Sequence, residues 1–574
     1  MKSTSKLGRD GRFWGLVMIA PTIIGLMILN IIPFFQTIYM SFSKTKAFGA
    51  YQFCGLENYL EMFRNAEFWK ANWNSLYFCI LTVPVGVFLA LIVAVLLNAK
   101  IKGKTAFRAI FFLPMVVAPA AVAMVWKWIF NAEYGILNQV FGTNIRWLTD
   151  PKIVLVTCAI VSIWSSIGYD AVLLLSGIQN ISQSLYEAAE LDGASKIRQF
   201  FSITLPMVSP TLFVVLIMRL MASLKVYDLI YMMVEQTNPA LTSAQSLMYL
   251  FYRESFVAGN KGYASAIVVW TVLLIGLVTL VQVIGQKKWV NYEVYTMNAS
   301  LKTRKNVVTF FTYLVLILGS ISMIFPFVWM VLTSFKTQAE SMAIPPQILP
   351  SHWNLDSFVK ALQSLPFTNL YINTGLLILF RVIFAVVFSS MAGYAFAKLE
   401  FPCKKLLFSL VLIQMMLPSQ IFIIPQYQML AKMGATNSIF ALVFPGLVSA
   451  FGTFFLRQAY LGIPNEIAEA AYLDGCNKWQ TFVKVMLPLT GPSMAALAIF
   501  TAVFAYADLM WPLICNTDLN MMTLSAGLST LNGQYTTNFP VLMAGSLLAM
   551  IPMVILYLIF QKQFIQGIAM TGGK

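Results

Sequence analysis

The sequence has very little histidine and few residues arranged for chemistry. Of its 574 residues only His352 is a histidine, and the six cysteines are scattered without metal-site or CxxC spacing. There is no GxxxxGK(S/T) loop and no recognisable catalytic triad. We therefore expect no metal site, no cofactor, free thiols rather than disulfides, and no ATPase activity in this chain.

Charge is also scarce. Charged residues make up 10% of the chain and hydrophobic residues 59%, a balance that excludes an ordinary soluble domain. The net charge of +16 comes from short loops beside apolar runs rather than from one basic face, so no nucleic-acid partner is predicted. The apolar run from Phe13 to about Met40 is too long for a signal-peptide core and predicts an uncleaved first span. The predicted environment is a lipid bilayer.

Twelve apolar stretches are long enough to cross a bilayer as helices, which takes about 20 residues. They lie near residues 13–41, 73–98, 107–130, 153–176, 208–233, 263–285, 306–334, 368–397, 405–430, 437–460, 491–514 and 540–561. Basic residues are denser in the loops that this topology places inside, as in the turn holding Lys100, Lys102, Lys104 and Arg108. The predicted fold is an all-α membrane protein of twelve helices, in two homologous six-helix halves (1–295 and 296–574), with both termini cytoplasmic.

An internal repeat relates the halves. Residues 187–193 read EAAELDG and residues 469–475 read EAAYLDG, an offset of 282, and a Leu-Pro pair follows each at 205–206 or 487–488. Polar residues precede each copy, Glu, Ala and Leu favour helix, and glycine ends a helix in a left-handed turn without strain. We therefore predict the same structure for the loops 180–206 and 463–488. Each should form a short helix, a bend at Gly193 or Gly475, and a second amphipathic helix on the cytoplasmic face.

Two plainer interpretations stand beside a docking role for these loops. They are simple connections between spans, although two copies at matched spacing disfavour that. Alternatively, Glu187 and Glu469 are charges placed at helix starts by the helix dipole, without any partner.

With these motifs the chain resembles the type I importer permeases of ATP-binding-cassette systems, and most closely those for carbohydrate uptake, of the maltose and glycerol-phosphate kind. The family pattern of Glu-Ala-Ala, Asp-Gly and Ile-x-Leu-Pro is complete at 187–206. The second copy departs from it, with Val485 in place of the isoleucine and Cys476 where alanine is common after the glycine. The first half looks like one permease of such a pair and the second half like the other. A natural fusion and an artificial joining of two chains both fit.

The resemblance implies that both loops dock onto two separate ATPase subunits, which carry the ATP and Mg²⁺. The implied coupling residues are Glu187, Ala188, Ala189, Asp192, Gly193, Glu469, Ala470, Ala471, Asp474 and Gly475. It further implies an extracytoplasmic solute-binding protein over the loops near 131–152, 235–262, 336–367 and 515–539, and a place in a prokaryotic cell (inner) membrane.

Polar residues inside spans indicate a solute site, because they are costly in lipid unless they line a cavity. The predicted solute residues are Trp164, Ser166, Tyr169, Asp170, Arg219, Ser223 and Asp228, with Lys225 nearby and Arg381, Asp508 and Trp511 as weaker candidates. Ser166, Tyr169, Arg219 and Ser223 fall on positions that, by resemblance, line the sugar site of the maltose-type first permease. The arginine would also suit an acidic sugar. The competing interpretation is that Arg219 pairs internally with Asp170 or Asp228.

The predicted function is the membrane-spanning unit of an importer that moves a sugar, oligosaccharide or sugar derivative by alternating access, driven by partner ATPases. An ion-coupled secondary transporter also has twelve spans in two related halves, but it would not need the paired loops. A membrane-embedded enzyme is disfavoured by the absence of a catalytic constellation.

Overall fold

The computed structural model describes residues 2–46, 50–99, 101–287, 289–290, 306–534 and 538–571. Helices dominate these residues, and the two strands found among them, Ser43–Thr45 and Tyr51–Phe53, form a small antiparallel hairpin after the first span. The predicted all-α membrane fold is confirmed. The predicted boundary at 295/296 lies outside the described residues and stays a prediction.

Eight helices in the described part are long and apolar enough to cross a membrane singly. They are Gly11–Ser41, Ala66–Asn98, Val154–Gln179, Lys196–Leu224, Lys261–Gln286, Phe310–Ser334, Phe367–Lys398 and Phe539–Gln561. Four bent pairs complete a set of twelve if each counts as one span: Lys104–Val116 with Pro119–Ile129, Lys404–Met416 with Gln420–Lys432, Ile439–Gly446 with Ala450–Leu461, and Lys478–Leu489 with Gly491–Ala507.

Shorter elements fill the connections between these spans. They are Glu57–Arg64, Ile136–Phe141, Gln183–Leu191, Asp228–Met233, Leu241–Ala244, Leu247–Tyr252, Arg253–Val257, Gln338–Ser341, Asp356–Ser364, Asn465–Leu473, Met510–Cys515, Leu519–Met521 and Leu524–Gln534.

Three of the predicted spans are bent. The stretches at 107–130 and 405–430 bend by 97° and 100°, and that at 437–460 bends by 49°. Ala118 precedes Pro119 and Leu417 precedes Pro418, and both have extended backbone with ψ of 136° and 137°. A residue before proline is disfavoured in the helical region, which explains both sharp bends.

Two predicted spans also end early. The span placed at 208–233 stops at Leu224, and a separate helix starts at Asp228. The span placed at 491–514 stops at Ala507, and Met510–Cys515 follows as a separate helix. Apolar composition alone does not reveal these breaks, because the residues on both sides of each are apolar.

The two halves repeat the same internal hydrogen bonds. The Asn74 side-chain amide donates to the carbonyl oxygens of Thr242 and Gln245, at 3.1 and 3.0 Å. Asn373 donates in the same way to two carbonyl oxygens in 520–522, at 2.8 and 3.0 Å. The next residues, Ser75 and Thr374, each accept the first backbone N–H of a following helix at 2.9 Å. A long span in each half thus anchors the loop that precedes the half's last span.

The halves are interlocked through their first spans. In the first half, Thr37 donates to the Ile421 carbonyl oxygen at 2.6 Å, and Gln426 donates to the Leu29 carbonyl oxygen at 2.7 Å. In the second half, the carbonyl oxygen of Ser322 accepts the indole N–H of Trp164 at 3.0 Å. Each first span therefore packs against the opposite half.

The fourth span approaches the third so closely at Gly168 that no side chain fits. A Cβ there would lie 1.9 Å from the Phe111 carbonyl oxygen, whereas a Cβ at Gly276 would meet nothing within 4 Å. We expect Gly168→Ala to lower Tm in detergent, because overpacking costs about 1–3 kcal/mol or more. Gly276→Ala, also a helical position, serves as the control and should leave Tm unchanged or raised. Equal Tm for both variants would contradict this packing.

Candidate functional sites: the paired loops and the interfacial cavity

The paired loops have the same local structure in both halves. The short helices are Gln183–Leu191 and Asn465–Leu473, and each ends at an aspartate, Asp192 or Asp474. The glycine that follows has φ of +74° at Gly193 and +85° at Gly475, a region that favours glycine. The predicted helix, bend and glycine are confirmed as local structure.

Each bend is closed by two backbone hydrogen bonds. In the first loop, the N–H groups of Gly193 and Ala194 donate to the carbonyl oxygens of Glu190 and Ala189, at 3.1 and 2.8 Å. The second loop repeats both bonds at Gly475 and Cys476. The paired bonds satisfy carbonyl groups that a helix end leaves open.

The glutamates of the repeat do not lie at helix starts. Glu187 and Glu469 are each the fifth residue of their nine-residue helix, so the helix-start interpretation is wrong. Ala188 and Ala189 follow the first and are partly exposed; after the second, Ala470 is exposed and Ala471 is buried.

Large apolar side chains near the bends are exposed. Ile197 is 73% exposed and Leu473 is 89% exposed. Leu191 and Phe201 are also exposed in the first loop. Apolar surface grouped beside a rigid bend is typical of a protein-binding site.

Each loop leads into a membrane span, which is continuous in the first half and bent by 75° in the second. In the first half, a π-helical turn at Phe200–Thr204 joins Lys196–Gln199 to the fifth span, and the Tyr186 hydroxyl lies 2.9 Å from the Thr204 hydroxyl. Burial raises the pKa of Tyr186. In the second half, the equivalent π-helical turn is Thr481–Met486. In the first half the short helix is therefore fixed to the base of the span that follows it.

The predicted solute residues separate into two groups. Arg219 Nε lies 3.1 Å from Asp170 Oδ2, with both side chains nearly buried. Ser223 Oγ lies 2.8 Å from Thr82 Oγ1, and the Ser166 hydroxyl donates to a carbonyl oxygen of its own helix. This arrangement is the internal pairing that the sequence left open.

Trp164 packs between the halves. Its ring contacts those of Trp126 and Phe327, at centroid distances of 5.4 and 5.6 Å. Tyr169 is partly buried in the same span. Among the seven predicted solute residues, Asp228 alone lines the cavity described next.

A cavity of about 320 Å³ lies between the halves. It is lined by Lys225, Tyr227, Asp228, Arg381, Ser419, Gln420, Ile423, Gln426, Pro445, Gly446, Asp508, Met510 and Trp511. The first three come from the first half and the rest from the second. Most of these residues lie at or next to helix breaks, namely 225–227, 417–419, 447–449 and 508–509.

The cavity wall carries fixed charges. Arg381 Nη1 donates to Asp508 Oδ2 at 3.2 Å, and Nη2 donates to the Leu442 carbonyl oxygen at 2.7 Å. The Trp511 indole N–H donates to the Ala441 carbonyl oxygen at 2.9 Å, and the residue lines the cavity. The three weaker candidates of the second half are thus brought together at one site.

The cavity residues at 419–426 and 445–446 were not predicted from the sequence. The signal that would have found them is the proline at each break, Pro418 and Pro445, beside polar or small residues in an apolar span. The corresponding bend of the first half, at Val117 and Ala118, is apolar and fully buried. The halves therefore share an architecture but contribute unequally to the cavity.

The Asp170–Arg219 pair gives a testable stability pattern. Breaking a buried pair from one side costs about 3–5 kcal/mol, because the remaining charge is left without a partner. We expect Asp170→Asn and Arg219→Gln each to lower Tm in detergent, and the double variant to lose less than the sum. Strictly additive losses would show that the two groups do not interact.

Two stretches of the chain match one family of transport proteins. The family model described as "Binding-protein-dependent transport system inner membrane component" matches residues 83–290 and again 385–570. The arabinooligosaccharides transport system permease protein AraQ of Halalkalibacterium halodurans is 36% identical over 254 residues, which cover 44% of this chain and 91% of that protein. The trehalose/maltose transport system permease protein MalF of Thermococcus litoralis is 33% identical over 283 residues, covering 48% and 95%.

A solved structure also resembles part of the chain. It is that of a bacterial ABC transporter involved in the import of the acidic polysaccharide alginate, matched over 50% of this chain and 99% of that chain, with 23% identity and a TM-score of 0.45.

The two family matches cover most of the chain and leave one copy of the domain in each half. The resemblance to two joined importer permeases is thereby confirmed. The chain is a multi-pass membrane protein that belongs to the binding-protein-dependent transport system inner membrane component family and carries the family's domain twice.

Proposed function

We propose that this chain is the membrane-spanning unit of an ATP-binding-cassette importer for a sugar, oligosaccharide or sugar derivative. The observation that carries the proposal is the cavity at helix breaks of both halves, which offers charged side chains, an amide and an indole face. The charged and amide groups suit the hydroxyls of a sugar, and the indole suits its apolar ring face. Two relatives point the same way, because they are transport system permease proteins named for arabinooligosaccharides and for trehalose and maltose.

The paired loops are proposed as the sites where two ATPase subunits dock. ATP and Mg²⁺ would be held by those subunits, since the sequence has no phosphate-binding loop of its own. The coupling role of Glu187, Asp192 and Gly193, and of the equivalent residues at 469–475, rests on their partial or full exposure and on the repeated geometry. Docking at two equivalent loops would let both ATPases act together on the cavity between the halves.

The spans supply a mechanical link between loops and cavity. In the first half, Lys196–Leu224 begins near Gly193 and is followed directly by Lys225, a cavity residue. In the second half, Lys478–Leu489 with Gly491–Ala507 begins near Gly475 and is followed directly by Asp508, also a cavity residue. A movement of either loop would therefore displace a cavity wall directly, and closure of the ATPases would alternate the cavity between the two sides.

The binding protein, the membrane and the orientation of the chain are proposed from the family resemblance. A solute-binding protein outside the cell would deliver the sugar over the loops opposite to the docking side, in a prokaryotic inner membrane with both termini cytoplasmic. The ion-coupled alternative has no support from the family matches, which are to binding-protein-dependent systems.

Partner identity can be tested by purification. The tagged chain, isolated from its native membrane, should bring down ATPase subunits at two copies per chain. Replacing Gln183–Leu191 and Asn465–Leu473 by flexible linkers of equal length should release them, while residues from Lys196 onward are kept because they belong to the span. A partner-free chain that transports under an ion gradient would overturn the proposal.

The left-handed glycines give a test of coupling. Gly193→Val and Gly475→Val should lower sugar uptake while ATP hydrolysis continues, because a β-branched residue costs at least about 1–2 kcal/mol in this conformation and should shift the bend. Gly103→Val is the matched control, since Gly103 has φ of +79° in a loop on the same predicted face. Coupled uptake at the wild-type level in both loop variants would contradict the coupling role.

A further inference from the structure

The cavity contains four charged side chains, two of each sign. Arg381 and Asp508 form one ion pair at 3.2 Å, and both belong to the second half. This pair is already neutralised within the protein. Neither member carries an excess charge that a solute would have to balance.

Lys225 and Asp228 differ from that pair. They flank the break between the fifth span and the next short helix, and both line the cavity. Within the described residues neither has an ion-pair partner within 4.0 Å or a side-chain hydrogen bond, and Asp228 Oδ1 is buried without a partner. Burying such groups is costly unless something else completes their hydrogen bonds.

From this pattern we propose that the transported solute is an uncharged sugar, with neighbouring hydroxyls held between Lys225 and Asp228. The inference rests on the proposed function and specifies its substrate class. A hydroxyl can donate to the Asp228 carboxylate, and its neighbour can accept from the Lys225 ammonium, because each hydroxyl is both donor and acceptor. The Trp511 ring face, with its N–H already bonded, provides the apolar contact for the sugar ring.

Charge balance is the reason to exclude an acidic sugar. The four side chains sum to zero, so a neutral solute leaves the cavity neutral. A carboxylate or phosphate would satisfy Lys225, but it would add a further anion beside Asp228, which the Asp508 carboxylate already influences. Asp228 and Lys225 are therefore specificity-determining residues, and each contributes to discrimination between neutral and acidic solutes.

The test is a binding comparison by calorimetry, on the full chain in lipid nanodiscs. The probes are glucose, galactose and mannose mono-, di- and trisaccharides, each paired with the uronic acid that differs only in its oxidised carbon 6. We expect at least one neutral member to bind about tenfold or more tightly than its acid partner. An acid partner that binds as tightly as the neutral sugar would overturn this inference and leave the sugar-importer function standing.

Charge variants separate specificity from folding. Asp228→Asn should shift the neutral-to-acid preference about tenfold toward the acid, and Lys225→Met should shift it further toward the neutral sugar. The double variant should restore the wild-type preference at lower affinity, an outcome that a merely structural role would not produce. Glu61→Gln, an exposed carboxylate in the Glu57–Arg64 helix, is the control and should change nothing.

The two proposals fail in different ways. If neither member of any pair binds the wild-type chain while the assembled system imports a solute of another class, the sugar function itself is wrong. If a variant does not fold, the wild-type comparison of neutral and acidic probes still decides the inference.

Discussion

Inside a bilayer every backbone N–H and C=O group needs a hydrogen-bond partner within the protein, because the lipid provides none. A helix satisfies this need, so an interruption is tolerated only where protein or a polar cavity surrounds it. In this chain the interruptions at 225–227, 417–419, 447–449 and 508–509 gather around one cavity between the halves. The first-half bend at 117–118 is instead covered by protein. The position of the polar site is thus a consequence of where helices can break.

The same constraint makes the spans rigid between their breaks. The fifth span of the first half runs for 29 residues from the loop to the cavity, a length of about 43 Å at about 1.5 Å per residue. The second half makes the same connection through a span bent by 75°. The two connections are alike in their ends and different in their course. This gives a physical reason for the two halves to respond unequally to the same displacement of their loops.

Interlocking of the halves adds to this asymmetry. The first span of the first half is hydrogen-bonded to Ile421 and Gln426, in the span that contributes Ser419 and Gln420 to the cavity. Neither half completes its packing alone, and the second half supplies most of the cavity wall. Joining the halves in one chain keeps these two unlike units in equal number.

The sequence by itself determined the membrane class, the number of spans and the paired loops. Apolar length reports lipid contact directly, and the glycine bends depend on a local backbone preference that Gly193 and Gly475 express without help from distant residues. It also identified Asp170, Arg219 and Asp228 as unusual, because charge in an apolar span is rare. Only the tertiary structure decided which of them face each other: Asp170 and Arg219 pair inside one half, whereas Asp228 reaches a cavity shared with Arg381 and Asp508. That choice depends on helix rotation and on breaks between elements far apart in the chain, and no local pattern encodes either.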